Sequence, residues 1–179
     1  MDATDILRFW FDEIDAARWW RADPAFDAQV RERFGAVLQA ATAGELHTWR
    51  ATPEGRLAEV IVLDQFSRNV HRGTPGAFAA DPMALALAQE AVAGGHDQAL
   101  PVARRAFLYM PYMHSESRAI HALSEVLFAT PGLEGNLASG RRHRAIIERF
   151  GRYPHRNAIL GRRSTAEELA FLQQPGSSF

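Results

Sequence analysis

Only one stretch of this chain is β-branched enough to read as a strand, Val60-Ile61-Val62-Leu63, and both of its flanks carry helical spacing. Elsewhere apolar residues recur three and four apart, and no run alternates for long enough to make a half-buried strand. The punctuation is helical too. Asp23-Pro24 and Asp81-Pro82 each set a capping side chain ahead of a proline whose ring fits the first helical turn. The chain is therefore expected to be all-α, with about nine helices in antiparallel pairs, forming a single domain over residues 1–179. At 47% hydrophobic residues it has enough apolar matter for a continuous core.

The spacing predicts a first short helix around Ile6–Phe11, capped by Thr4 or Asp5, then a helix from Pro24 to about Ala43 that Gly44 stops. A short turn spans Glu45–Arg50. Pro53 opens a helix that runs to about Asn69, and Asp81-Pro82 opens another that ends at Gly94-Gly95. Pro101 starts a helix through Tyr109, broken at Pro111. Ser115 or Ser117 caps a helix to about Phe128, and another runs from about Asn136 to Phe150. Ser164 or Thr165, with Glu167 or Glu168, caps the last, which ends near Gln173. Trp10, Trp19, Trp20 and Trp49 read as fillers of the core and of helix contacts.

Composition removes several chemistries. The absence of cysteine excludes disulfides, thiolate metal sites and a cysteine nucleophile. All 20 basic residues are arginine, so Schiff-base chemistry and a Walker-A lysine are excluded as well. The acidic start Met1-Asp2-Ala3-Thr4-Asp5 does not suit a secretory signal, and no apolar run approaches the ~20 residues of a membrane span. A cytoplasmic protein without membrane contact is expected. The net charge of −1 argues against binding nucleic acid. Charge is nevertheless uneven. Residues 1–64 hold 12 acids and 7 Arg, a net of −5, while residues 141–163 hold 8 Arg and one acid, a net of +7. Either the two segments neutralise each other or the basic one binds an anion. Arg141-Arg142-His143-Arg144 reads as a solvated helix start.

Three polar clusters sit in apolar company. Leu57, Ile61, Asp64 and Arg68 share a helical face, so Asp64 lies on an apolar stripe with Arg68 one turn away. A buried carboxylate must be paired, ligated or protonated, whether as a structural ion pair or as an acid–base group. The second cluster is Met113-His114-Ser115-Glu116, directly after Pro111. His114, Arg118, His121 and Glu125 fall near one face, but the pattern matches no established metal site or serine triad, and no metal is assigned. The third is Phe150-Gly151-Arg152-Tyr153-Pro154-His155-Arg156-Asn157, a tight corner whose guanidinium forks suit a carboxylate or phosphate, or else satisfy helix ends.

Together with Phe9-Trp10-Phe11, Trp19-Trp20, Phe26-Asp27, Arg31-x-Arg33-Phe34 and the closing Ser177-Ser178-Phe179, these clusters resemble a family of bacterial proteins known as domain of unknown function number 924. The resemblance spans essentially the whole chain. It implies a compact TPR-like helical fold and no particular activity. The chain departs from that pattern at Ser117, where an acid is expected, and at His121, where Gln is expected.

If the clusters converge, they form a pocket for a small anionic ligand, and the protein could act as a hydrolase or transferase. His114, Glu116, His155 and Asp64 would be its catalytic groups, and Arg68, Asn69, Arg152, Arg156 and Asn157 its ligand-binding groups. No cofactor is specified. The alternative is a TPR-like scaffold for a protein or peptide partner, with these polar networks purely structural.

Overall fold

The computed structural model describes residues 1–179 and contains no strand. It has eight α-helices of six residues or more, which agrees with the expected all-α class. Helix α1 (Ala3–Arg8) runs on into a π-helical turn, Phe9–Glu13, and a 3₁₀ turn, Ala16–Trp20, leads to α2 (Pro24–Thr42). Helix α3 (Pro53–Ile61) passes through a second π-helical turn, Val62–Phe66, into α4 (Ser67–Val70), so that residues 53–70 form one rod. The short α5 (Gly76–Ala79) precedes α6 (Asp81–Ala93). Then come α7 (Val102–His114), α8 (Arg118–Phe128), α9 (Glu134–Phe150) and α10 (Ala166–Phe171). From α6 to α9 each helix packs on the next, an arrangement compatible with helix pairing.

The rod is the axis of the molecule, with α1, α2, α6 and α7 packed around it. Every residue from Leu57 to Ser67 is buried. That explains the Val60-Ile61-Val62-Leu63 run, because a helix surrounded on all sides is apolar all round rather than striped. Phe9, Phe34 and Phe66 meet beside the rod with ring centroids 4.6–6.0 Å apart. Thr52 caps the rod's start, its hydroxyl accepting the Gly55 N–H at 3.0 Å. A Cβ on Gly55 would lie 1.9 Å from the Trp49 carbonyl oxygen. Gly55→Ala is expected to lower stability by about 1–3 kcal/mol, as an overpacked site does. A denaturant midpoint equal to wild type would show that the 47–52 turn moves aside freely.

Several local expectations are corrected. Asp2 caps α1 instead of Thr4 or Asp5, because Asp5 at N3 returns the hydrogen bond as a capping box. Helix α7 does not break at Pro111. It continues one turn to His114, where Tyr112 and Met113 are buried and His114 is tied to Asp64. Asp81 makes no cap bond, since its carboxylate is engaged by arginines. Arg141–Arg144 lie in the middle of α9, where Arg141 and Arg144 pair with Glu125. Trp10 is core, whereas Trp20 is 63% exposed.

Candidate functional site

The centre of the rod carries Asp64, which is fully buried in the π-helical turn. Single π turns inside helices often sit at functional sites. The last turn of α7 brings His114 to it, with Nδ1 2.7 Å from the carboxylate Oδ1. A carboxylate accepts only, so Nδ1 holds the proton and Nε2 has no protein partner. Gln65 Nε2 donates to the other carboxylate oxygen at 2.5 Å, and Arg68 Nη1 stands 3.2 Å from Oδ1. Burial alone would raise the Asp64 pKa, but the charge of Arg68 and the hydrogen bonds from His114 and Gln65 outweigh it and hold the carboxyl well below the usual carboxylate range.

Asp81, at the start of α6, is shared between two clusters. Arg68 grips it with two bonds of 3.0 and 3.1 Å, and Arg156 Nη1 reaches it at 3.3 Å. Gly151 at φ 70° ends α9 and turns the chain into the corner that delivers Tyr153, His155 and Arg156. The Arg156 guanidinium packs over the rings of Phe78 and Tyr153, 4.6 Å from each centroid. Its bond to Asp81 is its one side-chain hydrogen bond, and its buried Nε has no partner. Burial, then the charge of Arg68, lowers its pKa from the ordinary arginine value.

Of these groups, Arg68, His114, His155 and Arg156 open onto a cavity of about 1030 Å³. Its wall includes Arg21, Arg68, Arg72, Arg142 and Arg156 together with His114, His143 and His155, and no Asp or Glu. Burial pushes His155 down to about 4, helped by the neighbouring Arg156, and pushes His143 down to about 3 despite its bond to the Ser139 carbonyl. Both are neutral at pH 7. No group of three or more His, Asp or Glu side chains is disposed to share a metal ion.

Arg68, His114, His155 and Arg156 thus meet around one space, with Asp64 buried behind His114. Asn69 also lines it, although its amide donates to Asp27 at 2.8 Å. Glu116, Arg152 and Asn157, like Asp64, do not line it. Glu116 accepts from Arg162 and from the Tyr153 N–H at 2.7 Å. Arg152 makes a two-bond grip on Glu168, and Asn157 bonds Ser164 and Arg162. These three brace the corner from behind. Sequence reasoning missed Asp81, read as a cap, and the face of α9 that holds Asn136, Ser139, His143 and Ile146. Their i, i+3, i+7, i+10 spacing was the available signal.

A family model described as a bacterial protein of unknown function, DUF924, matches residues 6–176. The chain belongs to this family. A solved structure of a protein of unknown function from Agrobacterium tumefaciens is 41% identical, with a TM-score of 0.90 over 96% of each chain. No match is found among curated proteins. No helix of this DUF924 chain is long and apolar enough to cross a membrane.

Proposed function

We propose that the cavity binds a small anionic ligand, and that the protein is a cytoplasmic hydrolase or transferase acting on it. The observation that carries the reading is Arg156, a buried guanidinium packed against two rings with most of its donors unmatched. A buried charged donor without a partner costs stability that an incoming carboxylate or phosphate recovers. The acid-free wall supports the same sign of ligand. The His114–Asp64 pair supports proton transfer: Asp64 orients the ring through Nδ1 and leaves Nε2 to take a proton from a water or substrate hydroxyl at the cavity. Neutral His155 is the second candidate proton carrier. Glu116, Arg152 and Asn157 are assigned to support of the corner rather than to contact with the ligand. A TPR-like scaffold for a peptide is compatible with the helix pairing, but no feature of this cavity favours it.

The test is a thermal-shift panel of phosphate- and carboxylate-bearing metabolites on wild type and Arg156→Ala. Asp81 keeps both bonds from Arg68 in that variant, so it is expected to fold. A ligand at 100 times its Kd adds about 2.7 kcal/mol to wild type. The variant is expected to bind about 10–100-fold more weakly, as loss of charge-assisted hydrogen bonds implies. No response to any anion, or an equal response in the folded variant, overturns the reading.

A further inference from the structure

We infer that the ligand carries a flat ring beside its anionic group, an inference that rests on the anion-binding reading above. Few large apolar side chains of this chain are well exposed, and two of them, Trp20 and Phe179 at 63% and 54%, line this same cavity. Each keeps about half or more of its surface open although it packs on other rings. Trp20 stacks nearly parallel on Phe107 and meets Trp19 edge-on. Phe179 leans on His143 with centroids 3.7 Å apart and meets His155 edge-on at 4.5 Å. Because both histidines are neutral, they serve Phe179 as ring partners rather than as charges. Two aromatic rings with free surface in the same cavity as a ring-packed guanidinium are the elements needed to hold a planar body and an anionic head together. The volume agrees. About 1030 Å³ lies just above the ~300–1,000 Å³ typical of pockets for organic ligands, so a bare inorganic anion would leave most of it to water.

The experiment is calorimetric titration with two matched pairs, phenyl phosphate against inorganic phosphate and benzoate against acetate. The ring-bearing member of at least one pair is expected to bind at least ten times more tightly and to change the tryptophan fluorescence. The pair that responds identifies the anionic group. Trp20→Ala and Phe179→Ala, both exposed positions whose folding is checked by melting, are expected to erase most of the ring's advantage while leaving the plain anion's affinity unchanged. If plain and ring-bearing anions bind equally, or the two variants keep the full advantage, the ring inference falls and the anion site stands. If none of the four compounds binds, the anion reading falls with it.

Discussion

Asp64→Asn is expected to cost the fold about 3–5 kcal/mol, the loss typical of breaking a buried ion pair from one side. The substitution keeps the shape and removes the charge. An amide then faces the His114 Nδ1–H, the Gln65 amide and the Arg68 guanidinium, so donors confront donors inside a buried stretch of the rod. Urea unfolding of the purified variant measures this directly. A midpoint within error of wild type would mean that the network rearranges without loss and that Asp64 does not hold the rod. The same carboxylate has a pH signature. Its pKa is lowered in the fold, so its contribution is complete above the ordinary value of 3.8 and drains away as pH falls below that.

A larger acid effect begins earlier. The unfolded chain protonates its histidines near 6.5, whereas folded His155 and His143 resist until about 4 and about 3. Between pH 6.5 and 4 the unfolded state binds protons that the folded state refuses, and stability falls with pH at about 1.4 kcal/mol per unit for each group. The loss is expected to reach on the order of 2–3 kcal/mol per histidine by pH 4. His121, also lowered by burial, acts in the same direction. The groups that set His155 are the surrounding protein, then Arg156, with Glu116 partly opposing. Urea midpoints at pH 7, 5.5 and 4.5 should decline steadily, and His155→Gln and His143→Gln should each flatten the decline. A profile level from pH 7 to 5 would contradict neutral, buried histidines. The bound anion would oppose this loss by favouring the protonated rings, so ligand and acid titrations inform each other.

What could be read from the sequence divides along a physical line. Local signals carried the helices, because caps, prolines and apolar spacing act within a few residues. The Thr165–Glu168 capping box that starts α10 is present as its residues suggest. Asp64 on an apolar stripe with Arg68 one turn on was equally legible, since both positions belong to one helix. Partners far apart in the chain were not. Nothing near Asp81 announces that Arg68 and Arg156, 13 and 75 residues away, both close on it. Its neighbour Pro82 made a cap the natural reading. Charge spacing was ambiguous for Arg141–Arg144, where two arginines turn to glutamates and His143 turns inward. Glu116 and Arg152 were legible as polar groups in apolar company, but such groups buttress a corner as readily as they line a cavity, and only the tertiary packing separates the two roles.

The π-helical turn at Val62–Phe66 has an evolutionary consequence. Such a turn amounts to one extra residue inserted into an α-helix. Deleting a single residue there would restore regular winding at almost no local cost. Everything beyond it would swing by about 100°, the angle one residue subtends in an α-helix. Arg68 would turn away from Asp81 and Asn69 from Asp27, while Glu59 and its partner Arg50 stayed in place. Homologous chains should therefore tolerate insertions in the 71–76 loop far more readily than any length change between residues 57 and 69. One frameshift of the helix, without a single residue exchanged, would disassemble one side of the cavity and leave the other intact.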